Sequence, residues 1–213
     1  MNKVNGTCVV VTAIICLVSG SGFAQTLRDT DYFTLEAGTF VSGDKLINDI
    51  FGPHLDAFGA LNKMLTDNFS VLGKVEGIYG EGSKSGIDLT RSGLKAGLSL
   101  VGLLMPGKPV DPYVLAGGLF EYNRVTASAG GADENDSDSE FGFEIGGGIE
   151  FNLEPKTLLD LGVLYQKFSD FDSIYANARI GYALTTSVTL LLEGGYAFDE
   201  EDYYARAGIA VKY

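Results

Sequence analysis

Charged side chains set at alternate positions of otherwise apolar segments are the residues of this chain whose types and spacing could do chemistry. Arg179, Glu193 and Arg206 each lie in a short segment in which every second residue is apolar or small. Because successive side chains of a β-strand point to opposite faces, these charges share the face opposite the apolar one. An arginine and a glutamate on neighbouring strands form charge-assisted hydrogen bonds, so the spacing predicts an Arg-Glu-Arg cluster. In this cluster Arg179 lies directly opposite Glu193, and Arg206 lies one diagonal step from Glu193 on the next strand.

A second set of charges follows the same pattern. The turns predicted between segments place Lys95 opposite Glu121 and set Glu144 near Glu121. Because enclosed charges need partners, alternating signs predict an interior filled by ion pairs rather than an open pore. The alternative is that these side chains are solvated in a water-filled interior.

The carboxylates of Glu150 and Asp160 conflict with this scheme. They face each other across a short turn at residues 154–157, and like charges so placed repel. Three explanations are open: one carboxyl group is protonated, a cation lies between the two, or the predicted register is wrong by two residues. The register error is the favoured explanation.

Acidic residues crowd one stretch between residues 133 and 140. Hard oxygen ligands at alternate positions can hold Ca²⁺, which makes this stretch the weak metal candidate of the chain. The spacing lacks the glycine and the terminal glutamate of a calcium-binding EF-hand loop, so the prediction is a solvated loop without metal. The candidate ligands are Asp133, Asp136, Asp138 and Glu140.

His54 is the only histidine and is therefore the first candidate for a catalytic base. It stands near Asp56, but no serine or paired aspartate motif accompanies it. A structural or surface histidine is the favoured interpretation, and the prediction is that the chain is not an enzyme and carries no cofactor.

Ten segments of alternating polarity could position these charges. A period of two is typical of β-strands, so an all-β fold is predicted, an antiparallel up-and-down transmembrane β-barrel with apolar side chains toward lipid. Eight strands is the alternative, because the second segment alternates poorly. The segments are 32–42, 54–63, 69–82, 93–105, 112–124, 141–151, 159–165, 174–184, 188–199 and 203–213.

The connections between these segments fall into two classes. An even number of strands places both ends of the barrel domain on one side, where the predicted turns are short. On the opposite side, long loops are predicted at residues 43–53, 83–92 and 126–140. The acidic stretch would lie in the last of these loops.

The beginning of the chain has the pattern of an export signal. Residues 1–24 combine one lysine, an apolar run and small residues, which predicts a signal peptide cut after Ala24. A short segment, 25–31, would lead into a barrel domain at 32–213. The net charge of −13 argues against a nucleic-acid partner, because phosphate binding needs clustered cations.

The segments 112–118 and 141–151, the turn before 68–75 and the aromatic last strand resemble the small OmpA/OmpX-type outer-membrane barrel family. This resemblance implies a Gram-negative outer-membrane location, with outer-membrane lipids and lipopolysaccharide as neighbours. It also implies insertion by the barrel-assembly machinery, after transfer by periplasmic chaperones, with Tyr213 as the assembly signal. A monomer is expected.

The predicted function is a structural or surface-interaction role in the cell envelope. The first alternative is a narrow porin-like channel for ions or small solutes. A lipid A-modifying or proteolytic barrel is the second, and a soluble barrel of the lipocalin kind is the third.

Overall fold

A closed antiparallel β-barrel accounts for almost the whole folded chain. The computed structural model describes residues 27–28, 30–84, 86–129, 132–169 and 171–213, so the predicted signal peptide lies outside the described residues. The strands are β1 (Tyr32–Val41), β2 (His54–Thr66), β3 (Phe69–Lys84), β4 (Ile87–Leu103), β5 (Val110–Ala129), β6 (Ala132–Glu154), β7 (Thr157–Lys167), β8 (Asp172–Ala183), β9 (Val188–Ala197) and β10 (Tyr203–Lys212), with one helix, α1 (Lys45–Phe51), between β1 and β2.

Each strand pairs with its neighbour in sequence, and the last strand pairs with the first. The closing pair runs antiparallel from Tyr32 opposite Lys212 to Val41 opposite Tyr203. Closure leaves no free edge around the barrel wall, which is how an up-and-down barrel satisfies its backbone hydrogen bonds. The predicted ten-stranded barrel is confirmed, and the second segment, whose alternation is poor, forms β2.

The side chains alternate between an apolar outer face and a polar inner face. Leu98, Phe141 and Tyr203 are among many large apolar residues that point outward and are more than half exposed. An apolar belt of this extent suits contact with lipid and would be unfavourable in water. Among the described residues, no helix is long and apolar enough to cross a membrane.

Both ends of the barrel domain lie at one end of the barrel, called here the terminal end. The connections at the opposite, distal end differ from the sequence prediction. The predicted long loops at 83–92 and 126–140 are wrong, because β3 and β4 continue to a tight turn at Gly86 and β5 and β6 continue to residues 129 and 132. Gly86 has a positive φ of 80°, which glycine adopts without steric cost.

The prolonged strands form a four-stranded sheet that rises above the rest of the wall. This distal sheet consists of residues 80–84, 87–92, 123–129 and 132–142. Phe120 and Phe141, whose ring centroids lie 5.1 Å apart, mark its base on the outer face. Alternation fails as a predictor here because the outward positions, such as Asp88, Thr90 and Ser128, are polar, whereas those of a lipid-facing strand are apolar.

Candidate functional site in the barrel lumen

The inner face of the barrel concentrates buried charge, which no water-soluble protein core of this size would tolerate without pairing. Each of these side chains comes from a strand position whose neighbours face lipid. The buried charged residues of the lumen include Glu36, Asp56, Glu144, Glu150, Asp160, Glu193 and Arg206. The candidate site is therefore a network of ion pairs, and its geometry decides what the barrel can do.

Arg179 holds the first part of the network. Its backbone lies opposite Glu193, as the register of the β8–β9 hairpin predicts, and its guanidinium forms an ion pair with Glu193. A second ion pair joins Arg179 Nη2 to Glu36 Oε1 of β1 at 3.1 Å. The Tyr204 hydroxyl donates to Glu193 Oε1 at 2.7 Å. These contacts bridge β8, β9, β10 and β1.

Arg206 holds the second part and differs from the sequence prediction. Its backbone lies directly opposite Glu193 rather than one diagonal step away. Its guanidinium turns instead across the lumen, where Nε donates to Asp56 Oδ2 at 2.5 Å and Nη2 forms an ion pair with Glu76. The guanidinium also stacks over the Tyr204 ring, with its carbon 4.2 Å from the centroid. Arg206 thus joins the network through Asp56 and Glu76, whereas the ion pair of Glu193 is with Arg179.

Glu144 is the centre of the third part. Its carboxylate pairs with Lys74 Nζ at 2.5 Å and accepts hydrogen bonds from Ser99 Oγ at 2.5 Å and Gln166 Nε2 at 3.2 Å. The predicted proximity of Glu144 to Glu121 is wrong, because the backbone of Glu144 lies opposite Gly117.

Lys95 carries the network toward the distal end. Its backbone faces Glu121, and its Nζ lies 3.5 Å from Glu121 Oε2 and 3.3 Å from Gln166 Oε1. Gln166 joins this pair to Glu144, so the polar contacts are continuous between the two.

The terminal end of the lumen resolves the conflict between Glu150 and Asp160. Their backbones do face each other, so the favoured explanation of a register error is wrong. The cation between them is a side chain of the chain itself, since Arg28 Nη2 lies 2.5 Å from Asp160 Oδ2. The backbone N–H of Leu27 donates to Glu150 Oε1 at 2.7 Å. The segment before β1 therefore supplies a cation to Asp160 and a hydrogen-bond donor to Glu150.

Tyr113 fixes this inserted segment. Its hydroxyl accepts from Arg28 Nη2 at 2.8 Å and donates to Asp160 Oδ1 at 3.0 Å. The Arg28 guanidinium also lies over the Tyr113 ring, 3.6 Å from the centroid. Leu27 packs against Leu158 and Leu191 in a buried apolar cluster, so the segment is held by both charge and packing.

Several members of the network escaped the sequence prediction. Lys74 and Glu76 occupy inward positions of β3, and strand parity alone could have identified them. Their partners could not be identified, because Glu144 and Arg206 lie 70 and 130 residues away in the chain. Arg28 gave no signal, since it lies outside every alternating segment.

The charged groups leave small cavities between them. One of them, of about 170 Å³, is lined by Arg28 and by residues from around the wall, among them Lys74, Arg179 and Arg206. Gly195 leaves room for the Tyr204 ring, because a Cβ there would lie 2.3 Å from that ring. Small inner residues therefore make room for large polar ones in a narrow barrel.

His54 serves as packing at the distal mouth of the lumen. It is fully buried, and its ring centroid lies 6.0 Å from that of Phe40 and 5.6 Å from that of Phe51. Asp56, its neighbour in sequence, binds Arg206 instead. The contacts of His54 are those of a structural residue.

Glu200, in the turn after β9, carries a pH-dependent contact at the distal end. Burial raises the pKa of Glu200 to about 7, and a hydrogen bond and charge from Asp202 add to the increase, while Lys95 opposes it and Glu121 reinforces it. Asp202 Oδ1 accepts from Ser42 Oγ at 3.1 Å and from Gly43 N at 2.7 Å. Ionisation of Glu200 would therefore strain the contact between two distal connections.

We expect Glu200 to destabilise the barrel as the pH rises. A carboxyl group whose pKa is higher in the folded state stabilises the fold at pH 4.5 and loses that contribution as the pH rises to about 7. After discounting for solvent screening, the loss is on the order of 1 to 2 kcal/mol. Urea unfolding at pH 5 and pH 8 measures it, and Glu200→Gln should remove this part of the pH dependence. An equal reduction by Glu201→Gln would contradict the assignment.

The acidic stretch lies on a strand and not in a loop. Asp133 points to the outer face of the distal sheet, while Asp136, Asp138 and Glu140 point to its inner face. Within the part of the chain that the structure describes, no group of three or more His, Cys, Asp or Glu side chains could hold a metal ion.

Tyr213, the predicted assembly signal, follows the end of β10. Its side chain is 62% exposed, and its backbone N–H donates to Asp31 O at 3.2 Å. Lys63 Nζ lies 5.8 Å from the centroid of its ring. The aromatic side chain is thus accessible at the terminal rim of the barrel.

Comparison with known proteins identifies a matching protein family. The family model described as the outer membrane protein beta-barrel domain matches residues 12–182. No curated protein matches the sequence.

Solved structures resemble the fold at low sequence identity. The outer membrane protease OmpT from Escherichia coli is 12% identical, with a TM-score of 0.53, and the match covers 92% of this chain and 100% of OmpT. The translocator domain of the autotransporter NalP from Neisseria meningitidis is 10% identical, with a TM-score of 0.51, covering 92% and 90%. Neisserial surface protein A is 16% identical, with a TM-score of 0.43, covering 86% and 97%.

Proposed function

The chain belongs to the outer membrane protein beta-barrel domain family, and from this premise we propose that it is a closed, non-enzymatic barrel with a surface-interaction role. In this proposal the terminal end faces the periplasm and the distal sheet faces the outside of a Gram-negative cell. Export proceeds through the signal peptide, so N-terminal sequencing of the mature protein should begin at Gln25. The barrel wall anchors the distal sheet in the membrane.

The observation that carries the proposal is the set of ion pairs that cross the lumen. Arg206 of β10 reaches Asp56 of β2, and Lys74 of β3 reaches Glu144 of β6. Arg28 closes the terminal end by binding Asp160. Because a buried ion is costly to separate from its partner, these contacts oppose the passage of solutes.

The closed lumen predicts an absence of stable conductance. Purified protein in planar bilayers should give no steps of constant size at moderate voltage, because the ion pairs that cross the lumen stand in the path of a solute. Frequent, uniform steps from several independent preparations would contradict the closed barrel. Lipid A extracted from cells that express the protein should be unchanged in mass spectra. A modified lipid A would indicate an enzyme.

A narrow channel is the second candidate, and one observation favours it. The cavity of about 170 Å³ and a distal cavity of about 70 Å³ share Phe40, Glu76, Lys95 and Tyr175 as lining residues. Cavities this large hold several waters between polar groups. In a channel, such waters would connect the two cavities under an applied voltage. Small, cation-selective steps that change when Glu76→Gln is introduced would support this candidate over the closed barrel.

A further inference from the structure

The distal sheet ends in a strand with no partner on one side. On the β5 side, residues from Ala132 onward pair continuously, starting with Ala132 opposite Ala129. On the β7 side, pairing begins only at Phe143, opposite Lys167. Within the described residues, the upper part of β6 therefore presents backbone groups that no neighbouring strand pairs.

The base of this edge is covered and its upper part is open. Ser169 N donates to Glu140 Oε2 at 3.1 Å, and the Phe168 ring lies beside Gly142. Residues 133–139 are all exposed, and the outward face of this sheet is polar above Phe141. The open edge, residues 132–139, thus lies beyond the apolar belt, where a strand from another molecule could reach it.

The open edge carries a regular column of negative charge. Glu134, Asp136 and Asp138 alternate along the inner face of β6. The paired strand, β5, supplies no cation to them, because Ala127, Val125 and Asn123 lie opposite the three carboxylates. None of the three carboxylates forms an ion pair with any described residue.

The spacing of the column defines what the edge can accept. Alternate residues of a strand are about 6.8 Å apart, so every second side chain of an added strand would lie beside one carboxylate. A second copy of the same edge would place carboxylates against carboxylates, which charges on natural strand edges prevent. A strand with a cation at every second position would instead pair with each acid in turn.

We propose that the open edge of β6 binds an extended cationic segment of another protein, with lysine or arginine at every second position, as an added β-strand. Backbone hydrogen bonds of the edge would hold the segment, and the acidic column would select it. This inference rests on the proposed surface-interaction role and names the chemistry of the partner.

Binding of a model peptide tests the proposal directly. The probe is a fluorescent heptapeptide of alternating lysine and threonine, Lys-Thr-Lys-Thr-Lys-Thr-Lys, titrated with the full barrel in uncharged detergent micelles and followed by anisotropy. The double variant Asp136→Asn/Asp138→Asn should weaken binding at least tenfold. The matched control Asp67→Asn/Asp88→Asn removes the same charge away from the open edge, and its affinity should stay within twofold of the unmodified protein. Equal weakening by both variants would overturn the proposal.

Two further peptides separate strand addition from general attraction of opposite charges. The first peptide has the same composition but four consecutive lysines, so it keeps the charge and loses the alternating spacing. The second alternates but has methylated backbone nitrogens, so it keeps the charge and cannot donate backbone hydrogen bonds. Both should bind at least fivefold more weakly than the alternating peptide. Equal binding of all three, or no binding of any, would overturn the proposal, whereas conductance measurements test the closed lumen separately.

Discussion

Replacing Arg206 by methionine is expected to lower the free energy of unfolding by about 3 to 5 kcal/mol, because it leaves buried carboxylates without their cation. Arg206 is 4% exposed, and Asp56, which it binds, is fully buried. Methionine retains most of the side-chain volume, so the effect reports charge more than packing. Glu76, the second partner, is a quarter exposed and can recover part of its hydration.

Urea unfolding in detergent micelles measures this change. The chain contains no tryptophan, so far-ultraviolet circular dichroism and the shift in gel mobility on heating are the suitable signals. Arg124→Met is the matched control, because the exposed Arg124 bonds only to Asn135 among the described residues. We expect its effect to stay within about 0.5 kcal/mol.

A second substitution distinguishes an ion pair from a general packing defect. Arg206→Met/Asp56→Leu removes both charges of the fully buried pair and should recover at least half of the lost stability, because apolar pairs can replace buried ion pairs. A loss of less than about 1 kcal/mol in Arg206→Met alone would contradict the importance of the network.

Replacing Arg28 by alanine is expected to have the second largest effect, a loss of about 3 kcal/mol together with release of the segment before β1. Asp160 and Glu150 are 2% and 1% exposed, and they would then lose the guanidinium that binds Asp160. Adding Asp160→Asn to Arg28→Ala should restore part of the stability, because it removes the repulsion. Lys45→Ala, on the exposed side of α1, is the control for loss of a single positive charge.

Cysteine labelling reports the release of the segment. Both natural cysteines, Cys8 and Cys16, lie in the predicted signal peptide, so a Leu27→Cys variant of the mature protein would carry a single thiol. Leu27 is buried in the lumen, and labelling by a bulky maleimide should be slow. Arg28→Ala should accelerate it at least tenfold. Equal rates with and without Arg28 would show that this side chain does not hold the segment.

Strand parity and hairpin register could be predicted from the sequence because both depend on neighbouring residues. Arg179 opposite Glu193 and Lys95 opposite Glu121 follow from counting outward from a short turn. The opposition of Glu150 and Asp160 follows from the same counting. What could not be predicted there was the cation, because Arg28 lies 132 residues from Asp160 in the chain.

The distal sheet shows the limit of the polarity pattern. The extensions of its strands were predicted as loops because their outward residues are polar, whereas the outward residues of a lipid-facing strand are apolar. The backbone hydrogen bonds that hold it do not depend on side-chain polarity. The acidic residues of the predicted loop consequently form a straight column on β6, which is the basis for the inferred docking edge.

The sequence by itself determined that this protein is an up-and-down barrel with apolar side chains outside and charge inside, since alternation fixes which face each side chain takes. Only the tertiary structure decided how those charges pair. Closure of β10 on β1 brings Arg206 to Asp56 and Glu76, and it brings the segment before β1 into the lumen. The physical reason is that contacts across a barrel depend on its curvature and on side-chain reach, which no local pattern encodes.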